Sequence, residues 1–514
     1  MTQQKGAFEG RIGGGDGLEI QAEAEVRAEQ ERHRLLAGLP QLGRLLEQEG
    51  IQRLLLDYPR SWVSDALRGL LADRRGRLKA GEEAEIWAVD SERWETKARE
   101  KLEDRERPRL VRVINATGVV LHTNLGRAPL GRLACDRLQD LAGAYTNLEF
   151  DLQRRERGSR QSLLESALCA VTGAEAALVV NNNAAAVMLM LQAMSAGREV
   201  ILSRGELVEI GGSFRMPEVM EVAGVRLREV GTTNRTHLRD YEQAISAETG
   251  LLLKVHRSNF VIEGFVKEVE AEALVELGHR RGVSVMVDQG SGMLMEPPAH
   301  WGERGWSVRA LHRAGADVVT WSGDKLFGGP QCGVITGKAF WIKKAAKLPI
   351  ARALRVDKLT LAALEATVQV YAYGDDVAWR DIPVLSALST DAEALYEQAE
   401  LWVQRWRDPL KRGGWSLSWE KAEARVGGGS LPALTLPTAR LCLGSEVHSV
   451  SLFEGSLRAR TIPIIGLLDR GCLWLDLRTW LSGDAEVVLC LFEEMAEARE
   501  GLQSHREKRP HREK

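Results

Sequence analysis

The segment ADVVTWSGDKLFGGPQCGVI, residues 316–335, decides the fold class of this chain. An apolar, strand-like run enters a polar turn at Ser322, continues to Lys325 and meets the glycine pair Gly328 and Gly329. In doubly wound α/β sheets, ligands bind at the carboxyl ends of the strands. A lysine placed there can lose part of its hydration and form a Schiff base with an aldehyde. A solvated loop lysine is the alternative interpretation.

The flanking sequence predicts the sheet to which this strand belongs. Between about residues 160 and 340, short apolar runs alternate with helical stretches, as expected for parallel strands that are buried on both faces. The fold class is therefore α/β, with a doubly wound, mostly parallel sheet. The predicted strands lie at 176–180, 199–202, 225–230, 251–255, 283–287 and 317–320.

Two further strand ends carry residues that suit pyridoxal phosphate. Asp288 ends the run VSVMVDQG and can pair with a protonated pyridine nitrogen, although an ordinary strand-end turn is the alternative. Asn181, Asn182 and Asn183 precede an Ala-rich helix, whose first N–H groups and positive dipole end can hold a phosphate. The order of phosphate site, ring-nitrogen carboxylate and Schiff-base lysine predicts a fold-type-I pyridoxal phosphate enzyme, with Ser322 in the cofactor-binding turn.

The run LLLKVHRSNF, residues 251–260, brings one more side chain to the same edge of the sheet. Asn259 follows the predicted strand and could meet the ring hydroxyl of the cofactor. A turn asparagine is the equally acceptable interpretation.

Length and composition limit the protein class. The 514 residues, 44% hydrophobic and 27% charged, indicate a globular chain of several domains. Lys and Arg number 69 against 72 Asp and Glu, a net charge of -3, so the chain lacks an overall basic excess and no DNA partner is expected. Six scattered cysteines without metal-ligand spacing predict reduced thiols and no metal site. Without a signal-peptide core or a membrane-length apolar run, the protein is expected to be cytoplasmic, with no membrane partner.

Changes of pattern along the chain predict six segments. The leader is Gly-rich and polar, and the next segment carries leucines at helical spacing. A long connecting helix is predicted at 350–380. The segments are a flexible leader (1–20), a helical N-terminal domain (21–105), a linker and subunit-contact segment (106–150), the cofactor-binding core (151–380), a small C-terminal α/β domain (381–504) and a basic tail (505–514).

Short strings along the chain carry a specific family resemblance. They resemble bacterial selenocysteine synthase, the L-seryl-tRNA(Sec) selenium transferase family, over roughly residues 20–500. The strings are VINATGVVLHTNLGRAPL (113–130), YTNLEFDL (145–152), GSR (158–160), VVNNNAAAV (179–187), SRGELVEIGGSFRMPEVM (203–220), VGTTNRT (230–236), VDQGSG (287–292) and SGDKLFGGPQCG (322–333).

The resemblance implies an activity and its parts. It implies a pyridoxal phosphate-dependent transferase of selenocysteine biosynthesis, which eliminates the serine hydroxyl of L-seryl-tRNA(Sec) and adds selenium from selenophosphate to give L-selenocysteinyl-tRNA(Sec). Lys325 would carry the cofactor, and Arg127, Arg352 and Arg355 would hold the selenophosphate. The resemblance also implies a homo-oligomer, a ring of dimers (homodecamer), and tRNA recognition by the N-terminal domain.

The arginines suit this role on physical grounds. Planar guanidinium groups bind phosphate-like dianions well. Arg352 and Arg355 stand three residues apart on a predicted helix, which would present both on one face. By spacing alone, solvation of a helix surface remains the alternative.

A basic stretch in the helical domain suggests where tRNA binds. Seven cations face three aspartates there, so the stretch could neutralise backbone phosphates; a solvated helix of mixed charge is the alternative. The residues are Arg53, Arg60, Arg68, Arg74, Arg75, Arg77 and Lys79, with Asp57, Asp65 and Asp73.

Two other functions stay open on the sequence. A related pyridoxal phosphate lyase acting on a small phosphorylated amino acid or amino sugar acid would use the same cofactor site and arginines, but it has little use for the helical domain. A tRNA-binding protein with an inactive core is disfavoured because Lys325 and Asp288 are both present.

Overall fold

The computed structural model describes residues 16–80, 87–210, 214–301 and 306–497, and the chain divides into two compact units, 1–111 and 112–514. The basic tail predicted at 505–514 lies outside the described residues, as do residues 1–15 of the predicted leader. The first helix begins at Asp16, so helix reaches into the segment expected to be a flexible leader. None of the helices in the described ranges is long and apolar enough to cross a bilayer.

The first unit is helical. Apolar side chains at three- and four-residue spacing, such as Val63 and Leu67, pack around Leu54 and Trp94 in its core. Ser91 caps the last helix by accepting the N–H of Arg93. The helices are α1 (Asp16–Ala37), α2 (Leu42–Leu46), α3 (Glu49–Asp57), α4 (Arg60–Lys79) and α5 (Glu92–Glu106).

The second unit contains fifteen helices and seventeen strands within the described residues. The helices are α6 (Arg132–Ala142), α7 (Ser162–Thr172), α8 (Asn183–Ser195), α9 (Met216–Val222), α10 (Leu238–Ala244), α11 (Ala271–Arg281), α12 (Val308–Arg313), α13 (Ala339–Ala346), α14 (Pro349–Ala353), α15 (Lys358–Tyr373), α16 (Asp375–Asp381), α17 (Pro383–Ser389), α18 (Ala392–Arg412), α19 (Val450–Arg458) and α20 (Asp484–Glu497). The strands are β1 (Ile114–Asn115), β2 (Phe150–Asp151), β3 (Glu156–Arg157), β4 (Ala176–Val180), β5 (Glu199–Ser203), β6 (Glu209–Ile210), β7 (Phe214–Arg215), β8 (Arg226–Val230), β9 (Thr249–Val255), β10 (Ser284–Gly290), β11 (Val318–Ser322), β12 (Gly333–Gly337), β13 (Ser416–Arg425), β14 (Thr435–Gly444), β15 (Ile464–Ile465), β16 (Leu467–Asp469) and β17 (Cys472–Asp476).

A seven-stranded sheet in the order β4-β12-β11-β10-β9-β5-β8 forms the centre of this unit. Only β12 runs antiparallel to its neighbours within this sheet. Apolar clusters lie on both faces, as expected for strands such as β4 and β11 that are buried throughout. The predicted α/β class with a mostly parallel sheet is confirmed, and each of the six predicted strands is present. β12 was not predicted.

The long helix predicted at 350–380 is wrong. This stretch contains α14, α15 and α16 instead. Asp357 starts α15 by accepting the N–H groups of Leu359 and Thr360, and Gly374, with φ 134°, separates α15 from α16. The side-chain cap and the glycine break what the apolar pattern alone would continue.

The C-terminal part contains a four-stranded antiparallel sheet, β13-β14-β17-β16, packed with α18 and α20. The predicted linker contributes to it, because β1 pairs in parallel with β15 and the N–H of Leu121 donates to Val426. Ile114 is fully buried in the same apolar cluster. The branched residues of the linker therefore serve as core.

Candidate active site

Lys325 lies just beyond the carboxyl end of β11 and is only 6% exposed. Burial lowers the pKa of its amine, and the nearby Arg127 lowers it further, while Asp288 and Asp324 oppose both effects. Gly292 makes the turn possible, because a Cβ there would lie 2.5 Å from the carbonyl oxygen of Ser322. The lysine is therefore a buried amine that loses its proton more readily than a solvated one.

Asp288 lies on β10, the parallel neighbour of β11. Its Oδ1 accepts hydrogen bonds from Asn183 Nδ2 at 2.8 Å and from Thr320 Oγ1 at 3.1 Å. Burial raises the pKa of this carboxyl, against the effect of those hydrogen bonds and of Lys325. The geometry brings the predicted lysine and aspartate into one electrostatic site.

The three asparagines have different roles at the start of α8. Asn182 caps the helix, since its side chain accepts the N–H of Ala185 at 2.8 Å. The N–H of Asn181 donates to Leu354 at 3.1 Å. Asn183 reaches Asp288 instead, and its own Oδ1 is buried without a hydrogen-bond partner among the described residues. An open cavity of about 420 Å³ lies against Asn181 and Asn182.

These residues fit pyridoxal phosphate. They provide a buried amine for its aldehyde, a buried carboxylate for its ring nitrogen and a helix N-terminus for its phosphate. The unpartnered Oδ1 of Asn183 is the kind of buried polar atom that a bound molecule would satisfy.

Asn259 lies in the loop after β9, and its Nδ2 donates to the carbonyl oxygen of Glu209 at 2.5 Å. Its Oδ1 is buried and accepts no hydrogen bond from the described residues. The expected contact with the cofactor hydroxyl stays a prediction, for which only this oxygen is available.

Arg127 lies beside the lysine. The residue follows Gly126 and itself has a positive φ of 62°. Its Nη1 donates to Asp324 Oδ2 at 2.7 Å, and the N–H of Ala128 donates to the Asp324 carbonyl at 3.2 Å. These contacts join the HTNLGRAP segment to the SGDK turn.

Arg352 and Arg355 do not share a helix, so that prediction is wrong. α14 ends at Ala353, where the Leu354 carbonyl turns to accept the N–H of Asn181. Both arginines nevertheless line one open cavity of about 710 Å³, where Arg355 donates to Glu149 at 3.0 Å. Within the described ranges, no hydrogen bond or ion pair joins either arginine to Lys325.

Sequence reasoning missed several residues around these groups. Asp324 and Thr320 were detectable as polar neighbours of Lys325 in the quoted segment, and Glu149 stands in one of the family strings. Gly429 left no such signal. A Cβ at this position would lie 2.7 Å from Lys325 Nζ, so a loop of the C-terminal part closes over the amine.

Comparison with known proteins places the chain in a family. The family described as SelA, L-seryl-tRNA selenium transferase, matches residues 113–481. The L-seryl-tRNA(Sec) selenium transferase of Geobacter sulfurreducens is 47% identical over 466 residues, covering 90% of this chain and 99% of the relative. That of Clostridium perfringens (strain 13 / Type A) is 44% identical over 466 residues, with the same coverage of 90% and 99%. A solved structure, D-glucosaminate-6-phosphate ammonia-lyase, covers 76% of this chain and 96% of its own at 21% identity and a TM-score of 0.49. On the family match and the two transferases, this chain belongs to the L-seryl-tRNA(Sec) selenium transferase family.

Proposed function

We propose that the chain converts L-seryl-tRNA(Sec) to L-selenocysteinyl-tRNA(Sec), with pyridoxal phosphate bound at Lys325 and selenophosphate as the selenium donor. Family membership supports the reaction and the cofactor. The observation that carries the assignment of the site is the buried Lys325 amine, whose pKa is lowered by burial, in the same electrostatic cluster as Asp288 and Asp324.

The cofactor contacts follow from the positions of the side chains. Lys325 binds the aldehyde, Asp288 pairs with the ring nitrogen, and Asn259 meets the ring hydroxyl. The start of α8 and the Ser322 turn hold the phosphate, with the following residues of the α8 turn: Asn181, Asn182 and Asn183. When bound, pyridoxal phosphate supplies an electron sink for the charge that develops at the serine Cα.

Lys325 is also the base of the reaction. Once the amine of the seryl group has replaced it on the cofactor, the free lysine removes the Cα proton. Its lowered pKa increases the fraction that is deprotonated and able to do so. Asp288 remains ionised opposite a protonated ring nitrogen, because an opposite charge offsets the effect of burial.

The three arginines handle the donor. Arg127, Arg352 and Arg355 bind the phosphoryl oxygens of selenophosphate through charge-assisted hydrogen bonds. The serine β-hydroxyl leaves, the selenium forms a bond to Cβ, and phosphate is released. Arg127 supports this role by its place beside Asp324 and Lys325.

The larger organisation belongs to the same proposal. The helical segment 21–105 binds tRNA, residues 151–380 hold the cofactor, and 381–504 form the smaller domain that closes the lysine site through Gly429. Residues 106–150 also make subunit contacts in a homo-oligomer.

Parallel incubations of the holoenzyme test this function. Selenophosphate is supplied with Ser-tRNA(Sec) or Ser-tRNA(Ser), and selenium in the aminoacyl group is measured. We expect incorporation on tRNA(Sec) alone, and none with Lys325→Ala, which also loses the visible absorbance of covalently bound cofactor. No incorporation by wild-type protein with a full complement of cofactor would overturn the proposal.

A further inference from the structure

The cavity at Arg352 and Arg355, here called the arginine cavity, holds more positive charge than those two residues supply. Six cations line it against two carboxylates, so it attracts anions. The cations are Arg157, Arg160, Lys343, Lys347, Arg352 and Arg355, and the carboxylates are Glu149 and Glu165.

Glu149 contacts three of these arginines at once. Its Oε1 accepts hydrogen bonds from Arg160 Nη2 at 2.7 Å, from Arg160 Nε at 3.1 Å and from Arg355 Nη1 at 3.0 Å. Its Oε2 accepts one from Arg157 Nη2 at 3.1 Å. The hydrogen bonds from Arg160 above all hold the pKa of Glu149 below its usual value, so the carboxylate stays ionised.

Arg160 makes this cluster rigid. Besides its two bonds to Glu149, its Nη1 donates to the carbonyl oxygen of Val356 at 2.7 Å, and its side chain is only 17% exposed. Val356 directly follows Arg355 in the chain. Arg160 therefore holds both Glu149 and the backbone that carries Arg355.

Other cations of the cavity are not neutralised. Arg352, Lys343 and Lys347 form no ion pair or side-chain hydrogen bond with any residue in the described ranges. One carboxylate shared among three guanidinium groups also leaves most of their positive charge uncompensated. The cavity therefore keeps both charge and N–H donors for an anionic ligand.

We propose that Glu149 is a positioning residue of the donor site, which gathers Arg157, Arg160 and Arg355 and thereby fixes Arg355 beside Arg352 for the phosphoryl group of the donor. Without the carboxylate, the guanidinium groups repel one another, and ordering Arg355 costs side-chain entropy. This inference rests on the proposed assignment of Arg352 and Arg355 to selenophosphate.

Glu149→Gln tests it, because glutamine keeps the size but loses the charge. In the holoenzyme at saturating Ser-tRNA(Sec), we expect the KM for selenophosphate to rise about tenfold, as for the loss of one charge-assisted contact. The KM for Ser-tRNA(Sec) and kcat at saturating donor should stay within about twofold. Inorganic phosphate, titrated calorimetrically into holoenzyme, should bind about tenfold more weakly.

Asp151→Asn is the matched control, since Asp151 lies on the same hairpin but bonds only to the backbone of Gln153 and Arg154 outside the cavity. It should leave both measurements unchanged. If Glu149→Gln does not fold, Glu149→Asp carries the test, with a smaller rise in both constants. Unchanged donor KM and phosphate affinity in a folded Glu149 variant would overturn the inference.

The Arg355→Ala variant separates this inference from the assignment beneath it. If Arg355→Ala raises the donor KM while Glu149→Gln does not, only the role of Glu149 is wrong. If neither Arg352→Ala nor Arg355→Ala changes the donor KM, the donor site itself has been misplaced.

Discussion

Asp288 and Lys325 are both buried, and burial shifts the pKa of each toward its uncharged form. A protonated ring nitrogen beside Asp288 would favour its carboxylate again. The aspartate thus has two separable tasks: its Oδ1 anchors Asn183 and Thr320, and its charge serves the cofactor.

Asp288→Asn separates these tasks. The amide oxygen can still accept from Asn183 and Thr320, but an amide cannot keep the pyridine nitrogen protonated. We expect cofactor to remain bound, seen by its visible absorbance, while selenium incorporation falls by roughly 100-fold or more. Turnover near that of the wild type would show that Asp288 is structural.

A second buried charge pair supports the fold. Lys254 is fully buried, its Nζ lies 2.5 Å from Glu206 Oε1, and Glu206 Oε2 accepts the N–H of Val255 at 3.0 Å. Lys254→Met would leave the Glu206 carboxylate buried without its cation, which should cost about 3–5 kcal/mol in the free energy of unfolding. Urea denaturation measures the loss.

The pH dependence checks the cause. Burial raises the pKa of Glu206, so protonation stabilises the folded Lys254→Met variant as the pH falls through the folded-state pKa toward the unfolded one. The deficit should therefore be smaller at acidic than at alkaline pH. Combining Lys254→Met with Glu206→Gln should recover much of the stability, and an additive loss would refute the pairing.

Among the elements, the loop between β13 and β14 has a direct effect on the site. Gly429, with φ 81°, lies so close that an added Cβ would be 2.7 Å from Lys325 Nζ and 3.0 Å from its Cε. The methyl group of Gly429→Ala would displace the amine, and the positive φ adds strain. We expect Gly429→Ala to lower both covalent cofactor content and turnover, measured by absorbance and selenium incorporation.

Gly428→Ala is the control for that prediction. A Cβ at Gly428 has only Thr123 Oγ1 within contact range, at 3.8 Å, and its φ is not positive. This variant should keep its cofactor. Equal losses in both variants would indicate a general effect on the loop instead of contact with Lys325.

The elements also show what the sequence could predict. Buried parallel strands such as β4 were found because each is a short apolar run between turns. β12 was missed because its position depends on antiparallel pairing with β11 and β4, which a glycine-flanked run of five residues does not indicate. The end of α14 depends on the contact between Asn181 and Leu354, far apart in sequence.

The site follows the same division. Lys325, Asp288 and the asparagines were found because chemistry-bearing residues followed apolar strands at one edge of the sheet. The Glu149 cluster was not, since it joins Arg160 and Arg355 across long stretches of chain. Such a contact depends on tertiary packing and has no local pattern.

For the whole molecule, the question is how a chain of net charge -3 binds tRNA. The basic stretch of α4 divides into two groups. Arg74 stacks over Trp87 with its guanidinium carbon 3.8 Å from the ring centroid, and Arg68 pairs with Asp65 at 2.9 Å. These arginines serve the helical unit itself.

Arg75 and Lys79 are the better candidates for phosphate contacts. Both are exposed, they stand one turn apart on α4, and neither forms an ion pair with a residue that the structure describes. Neutralising both, as Arg75→Gln with Lys79→Gln, should weaken tRNA binding and reduce the slope of log affinity against log salt by about 2. Cofactor absorbance should not change.

The control removes the same charge from paired positions of the same unit. Lys97 lies 2.6 Å from Glu100, and Arg99 lies 3.3 Å from Glu95, so both are already compensated. Lys97→Gln with Arg99→Gln should therefore alter the salt slope much less, because fewer counterions are released where no phosphate is contacted. Titration of labelled tRNA into full-length holoenzyme at several salt concentrations measures both variants. If the Arg75 and Lys79 variant keeps its affinity and slope, the tRNA contact lies elsewhere, and the basic tail at 505–514 becomes the segment to delete next.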